Sequence, residues 1–270
     1  MPTSSTATAY AGEDTTDHPG AVTRARAHEA VDVLGVPFAA LSRDDAIARL
    51  RAMVRGTGAY RVVLANAHTL NLAARDAAYR EILRTASLVL RDGVGVEIAA
   101  RLRGRRLEHN FVGTDFVPLL FARIADPALR VFLFGAAPGV AAAAGAALAA
   151  LSPAITIVGV ADGYGDFDEV ARRVQSSGAD VLLVALGNPL QEQWIAEHLS
   201  QLNVRLAIGV GALLDFLAGR VARAPLWLRV LRCEWLYRFL GEPRRLWRRY
   251  LVGNAQFLWR AARTSRLERR

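Results

Sequence analysis

The sequence predicts an α/β protein: a Rossmann-like, mostly parallel sheet with helices on both faces, followed by a helical, basic C-terminal appendage. Three observations predict it. Short apolar runs ending in glycine- or aspartate-bearing turns alternate with helix-patterned segments over most of the first 222 residues, the order that builds strand–helix–strand units. From Arg223 onward strand patterning stops. Charge divides at the same point: of a net +9, residues 223–270 contribute thirteen arginines against three glutamates, and the remainder is close to neutral. Such asymmetry marks a tail that meets an acidic partner.

Residues 1–28 lack a basic start followed by an apolar core and read as a disordered leader rather than a secretory signal. The α/β domain is expected over 29–222 and the appendage over 223–270. VDVLGVPFAALSRDDAIARLRAMV predicts a short strand and then a helix capped by Ser42, with Asp45 three residues on. RVVLANAHTLNLAARDAAYREILRTA predicts a strand, a turn and a helix; SLVLRDGVGVEIAARLRG predicts a strand ending at Asp92 and a helix after Gly95. RVFLFGAAPG precedes an alanine-rich helix, ITIVGVADGYG a helix from Asp168, and DVLLVALGNP the helix LQEQWIAEHL; RLAIGVGALLDFLAG closes the series. Val131 to Leu151 has the length of a membrane span, roughly 20 residues. Gly135, Pro138 and Gly139 interrupt it, so a strand, a glycine turn and a core-facing helix are expected instead. Past Arg223 the pattern is amphipathic helices broken at Pro243. The single cysteine, Cys233, excludes an internal disulfide framework and a cysteine-rich metal site, and points to a reducing compartment, the cytoplasm.

Ligands of such sheets bind at the carboxyl ends of the strands. The turns there are Asn66 to Thr69, Asp92 to Gly95, Gly135 to Gly139, Asp162 to Gly165, Gly187 to Gln191 and Gly209 to Asp215. Gly135, Pro138 and Gly139 open a helix where backbone N–H groups can receive a phosphate; a plain tight turn accounts for them equally, and their spacing is not G-x-G-x-x-G. Asp92, followed by Gly93, suits a general base toward a sugar hydroxyl or the N-cap of the next helix. Asp166 and Asp168 form a D-x-D that suits a divalent ion, with Asp168 as a helix cap the simpler account. Asn66, His68 and Thr69 put polar groups at a strand end, for substrate or for the turn itself, and no second histidine stands at ligand spacing. Arg238, Arg245 and Arg248 offer planar donors for phosphate, or a solvated basic face. Trp227, Trp235, Trp247 and Trp259, interleaved with arginine, suit a membrane interface. The tail holds no recognised nucleic-acid motif.

Taken in order, NAHTLNLA, LVLRDGVGV, VGTDFVP, VFLFGAAPG, ADGYGDF, ALGNPLQEQW, IGVGALLDFLAG, RAPLW and EWLYRFLGEPRRLWRRYL resemble the WecG/TagA/CpsF glycosyltransferase family from Val33 to Arg260. The resemblance implies an inverting transferase that moves a sugar, N-acetylmannosamine or another hexose, from a UDP-sugar to an undecaprenyl-diphosphate-linked sugar in cell-surface polysaccharide synthesis. It implies no metal or other cofactor, a cytoplasmic protein peripheral on the inner face of the cell membrane, and dimers or trimers. Asp92 matches the family's proposed base and Gln191 the glutamine of its G-x-P-x-Q-E motif. Arg238, Arg245 and Arg248 would hold the acceptor diphosphate. The donor would lie over Gly135, Gly139, Asp162, Gly163 and Tyr164, with Asn66, Thr69 and Gly93 in the same cleft. Leu64 stands where many members have threonine, and Asn110 where many have arginine, so the transferred sugar stays open. Two other classes compete: a nicotinamide-dependent oxidoreductase, poorly served by the Gly135 to Gly139 turn, and a non-catalytic membrane-bound scaffold of a polysaccharide assembly complex.

Overall fold

A computed structural model of the chain describes residues 30–124, 129–225, 228, 234–241 and 243–268; the expected leader lies outside them. Strands β1 (Ala30–Val33) and β2 (Val36–Ala39) form an antiparallel hairpin. β3 (Tyr60–Ala65), β4 (Leu88–Arg91), β5 (Leu129–Gly135), β6 (Ile155–Ala161), β7 (Val181–Ala185) and β8 (Leu206–Gly209) form one parallel sheet in the order β4-β3-β8-β7-β5-β6. The central strands are almost unbroken runs of Val, Leu, Ile, Phe and Ala because both faces are covered. One face packs α1 (Arg43–Arg55), α5 (Gly113–Arg123), α6 (Val140–Leu151) and α9 (Leu213–Leu217). The other packs α2 (Ala67–Ala73), α3 (Ala77–Arg84), α4 (Val94–Leu102), α7 (Phe167–Ser177) and α8 (Leu190–His198).

Four expectations are refined. The segment before Ser42 is a hairpin, not one strand: Leu34 and Gly35 take φ of 56° and 82° and reverse the chain between β1 and β2. The helical stretch after β3 is two helices, because the Asp76 carboxylate accepts the Tyr79 N–H at 3.0 Å and starts α3 afresh. α4 begins at Val94, and its cap position is Gly93 rather than Asp92. α7 begins at Phe167, capped by Asp166, whose Oδ1 accepts the N–H groups of Asp168 and Glu169 at 2.9 and 3.3 Å. The long apolar run divides into β5 and α6, as its glycines predict. Among the described residues no helix is long and apolar enough to cross a membrane.

The chain ends in α10 (Glu234–Gly241), α11 (Pro243–Trp247), a π-helical turn (Arg248–Val252) and α12 (Gly253–Glu268). Packing does not break at residue 223. Phe257, Ala261 and Ser265 recur every four residues and form the buried stripe of α12, and Phe257 and Ala261 join the same core as Leu70 of α2 and Ala99 of α4. Asn71 in α2 clamps the start of this helix, donating to the Gly253 carbonyl at 2.6 Å and accepting from Arg260 at 2.5 Å. Ser265 donates to the Leu102 carbonyl at 2.6 Å. Phe257→Ala is therefore expected to cost about 3 kcal/mol, as for other fully buried aromatic truncations. Urea unfolding of the full chain measures it, and an unchanged midpoint would show that α12 docks without stabilising.

The strand order creates a crevice. α6 carries β5 to β6 over one face, whereas α8 carries β7 to β8 over the other, and β5 and β7 are neighbours. Their connections leave in opposite directions, which opens a cleft above their carboxyl ends.

Candidate active site

Along the carboxyl rim, in strand order, lie Asp92 (β4), Asn66 (β3), Gly211 (β8), Gly187 (β7), Gly135 to Gly139 (β5) and Asp162 to Tyr164 (β6). The rim from β4 to β5 spans four strand spacings, roughly 19 Å.

At one end is the Asp92 turn. Its backbone N–H donates to the Ala65 carbonyl at 2.9 Å, continuing the β3–β4 ladder one step. The cap position of α4 belongs to the next residue, Gly93 (φ 103°). The Asn66 amide donates to Asp92 Oδ2 at 3.4 Å, while the Asn66 carbonyl oxygen accepts the N–H groups of His68 and Thr69 at 3.0 and 3.2 Å. Asn66 thus caps α2, as the turn reading has it, and also touches the carboxylate. Thr69 completes that capping box and is fully buried, so its hydroxyl holds the turn. Leu64, two residues before Asn66, is buried against Gly113, whose Cβ position would lie 3.2 Å from it.

Residues outside the expected set anchor this turn. Arg91 has no exposed surface; its guanidinium reaches Glu97 at 2.8 Å and the carbonyls of Gly93, Glu108 and His109 at 3.2, 3.2 and 3.0 Å. One planar fork thereby ties the strand end, the Asp92–Gly93 turn and the 108–110 segment together. From that segment Asn110 Oδ1 accepts the Gly93 N–H at 2.7 Å. The sequence singles out Asn110 only as a departure; its role in fixing the turn appears once loop and turn meet in space.

At the other end is the glycine turn. Gly135 sits at φ 123°, and a Cβ there would meet the Ala185 backbone at 2.5 Å, so only glycine lets β5 pass this close to β7. Gly139 is the left-handed cap residue of α6, so the N-terminus of that helix stands at the rim. The Gly163 N–H donates to the Ala136 carbonyl at 2.9 Å and joins the two neighbouring turns. Asp162 accepts the Tyr164 N–H at 3.0 Å, and the Tyr164 ring is 77% exposed above them.

Between the two ends Gln191 is buried. Its Oε1 accepts the Gly211 N–H at 3.0 Å and its amide donates to Glu192 at 2.6 Å, so it shapes the β8 turn from below. Glu192 has no exposed surface and also accepts from Asn188 at 2.8 Å and from the Tyr79 hydroxyl at 2.9 Å. Burial pushes its carboxyl above the ordinary range, against the three donors that pull it down. Burial and the neighbouring Glu192 likewise raise the Tyr79 phenol, and burial lowers Arg61 despite the attraction of Glu192. This network lies under the Asn188–Leu190 turn as scaffold.

The arginines of the tail are only partly described. Arg238 belongs to α10 and Arg245 to α11, with side chains outside the described set. Arg248 opens the π-helical turn, and its guanidinium sits 5.3 Å from the Trp247 ring centroid.

Comparison with known proteins agrees with this geometry. The profile of the glycosyl transferase WecG/TagA/CpsF family matches residues 31–270. Proteins named N-acetylglucosaminyldiphosphoundecaprenol N-acetyl-beta-D-mannosaminyltransferase are similar to the chain. The one from Bacillus spizizenii is 35% identical over 191 residues, covering 70% of this chain and 74% of the relative. The one from Bacillus subtilis is 34% identical, covering 66% and 70%. One from Staphylococcus aureus is 31% identical over 242 residues, covering 87% and 93%. Their transferase activity favours group transfer over the oxidoreductase and scaffold readings. With a parallel sheet, a switch-point crevice and an aspartate presented at its rim, the chain belongs to the WecG/TagA/CpsF family of glycosyltransferases.

Proposed function

We propose that the protein transfers a hexosyl group, N-acetylmannosaminyl in the first instance, from a UDP-sugar to a hydroxyl of a sugar carried on undecaprenyl diphosphate. The observation that carries this reading is the Asp92 turn: an aspartate at the crevice rim whose neighbour Gly93 takes the cap position of α4 and is held at its carbonyl by Arg91 and at its N–H by Asn110. The matched relatives, whose names specify an N-acetylglucosaminyl-diphosphoundecaprenol acceptor, support the substrate class.

In this mechanism the donor lies along the rim, its base under Tyr164, its diphosphate at the N–H groups opening α6, and its anomeric carbon toward β3 and β4. Asp92 takes the proton of the acceptor hydroxyl as that oxygen bonds the anomeric carbon; the carbon–phosphate oxygen bond breaks on the opposite side, UDP leaves with the electron pair, and the configuration inverts. Gly93 lets the acceptor approach the backbone, and Asn66 orients the carboxylate. Thr69 and Gln191 act by positioning the turns. Arg238, Arg245 and Arg248 hold the acceptor diphosphate.

Acceptor presentation requires the inner face of the membrane. The described tail exposes Leu240, Trp247, Leu251, Val252 and Trp259, with Arg263 5.4 Å from the Trp259 ring, a composition that suits the headgroup layer.

The test is UDP release with a panel of UDP-sugars and a short-chain polyprenyl-diphosphate-linked sugar, with and without EDTA. Acceptor-dependent release that survives EDTA is expected; no release with any donor would overturn the reading. Tyr164→Ala is expected to weaken UDP binding about tenfold, equivalent to about 1.4 kcal/mol, the scale of one stacked base. Calorimetric titration with UDP reads it, and an unchanged affinity would remove Tyr164 from the donor site.

A further inference from the structure

Two strand ends meet at the middle of the rim, β7 at Gly187 and β8 at Gly211, between the start of α6 and the Asp92 turn. Both glycines take positive φ, 78° and 54°, and no atom lies within 4 Å of the position a Cβ would occupy on either. These turns therefore offer bare main chain to open space. A donor laid as proposed, from Tyr164 toward Asp92, crosses them.

Glu192 ties the two turns together from below. It has no exposed surface; its Oε1 accepts from the Asn188 amide at 2.8 Å and the Gln191 amide at 2.6 Å, and its Oε2 accepts from the Tyr79 hydroxyl at 2.9 Å. Asn188 lies in the β7 turn, which the Gln191 N–H closes onto the Gly187 carbonyl at 2.9 Å. Gln191 reaches on to the β8 turn, where its Oε1 accepts the Gly211 N–H at 3.0 Å. A side-chain amide has one donor end and one acceptor end. With its nitrogen held by Glu192, the oxygen of Gln191 is left facing Gly211. The pair lies hard against β8: a Cβ on Gly209 would stand 2.7 Å from Gln191 Nε2 and 3.0 Å from Glu192 Oε1.

We propose that Glu192 is a positioning residue for the sugar-nucleotide donor, a role that rests on the crevice being the donor site. Through Asn188 and through the Gln191 amide it fixes the main chain of the Gly187 and Gly211 turns, the floor beneath the sugar-phosphate end of the donor. Glu192 touches no substrate and acts only through this brace. A floor made of backbone has no side chain of its own to adapt, so its geometry has to be held by a supporting shell.

Steady-state UDP release and amide exchange of Gly211 followed by nuclear magnetic resonance, both on the full chain, test this. Glu192→Met removes the acceptor and is expected to raise the donor KM about tenfold, the scale of one lost hydrogen bond, with kcat changed by no more than about twofold. Exchange at Gly211 should quicken in the same variant. Glu192→Gln should keep both near wild type, because a glutamine carbonyl accepts the same two amides while its own amide donates to the Tyr79 oxygen. Tyr79→Phe removes a buried bond to the same carboxylate outside the brace, and should lower the unfolding midpoint without moving KM. Unchanged donor KM or unchanged Gly211 exchange in Glu192→Met, or an equal rise of KM in Glu192→Gln or Tyr79→Phe, would overturn the inference and leave the transfer reading intact. A wild-type chain that releases no UDP from any donor overturns the transfer reading first and the inference with it. Where Glu192→Met fails to fold, Gln191→Met cuts the brace at its other end and carries the same expectation.

Discussion

Asp92→Asn is expected to reduce kcat for glycosyl transfer about a hundred- to ten-thousandfold, the usual contribution of a positioned general base. The fold should tolerate the change: Asn66 donates to Asp92 Oδ2, and an asparagine carbonyl can accept the same bond. KM for the donor should move little, because an interaction made only in the transition state appears in kcat. Steady-state UDP release on a variant with unchanged unfolding behaviour is the measurement. Turnover near the wild-type rate would move the base elsewhere on the rim.

Arg91→Leu is expected to be the most destabilising substitution at the site, by about 3–5 kcal/mol, because it breaks a buried ion pair and takes the guanidinium from three part-buried carbonyls. Glu97 would keep Arg101 as a partner, but the carbonyls of Gly93, Glu108 and His109 would lose theirs. Since the same guanidinium fastens the Asp92–Gly93 turn, kcat should fall along with stability even in the fraction that stays folded. Arg91→Lys separates the effects. It keeps the charge near Glu97, but an ammonium cannot spread over four acceptors as the planar fork does, so stability should recover in part while kcat stays low. Urea unfolding combined with UDP release distinguishes them; full activity in Arg91→Lys would show that the charge alone holds the turn.

What the sequence by itself determined about this protein is the local part. The apolar runs of β3, β5, β7 and β8, the cap at Ser42, and the glycine break between β5 and α6 all rest on neighbours in the chain. Spacing therefore exposed them, as the ordered motifs exposed the family. Other local outcomes required contacts that no spacing announces. A positive φ at Leu34 turned one expected strand into a hairpin, and Asp76 divided one expected helix in two.

Only the tertiary structure decided the strand order, since β4 at one edge and β5 near the other are joined by a connection that crosses the sheet. It alone made the crevice and set which turns share it. It also turned Glu192, in a polar-looking helix start, into a buried acceptor beneath α3, and Phe257, in a tail marked by its charge, into core beside α2 and α4. Arg91 and Glu97 escaped notice for the same reason, and Asn110 stood out only as a departure from the family pattern. Their partners lie across a turn or on a separate loop, and hydrogen bonds of that kind leave no periodicity in a sequence.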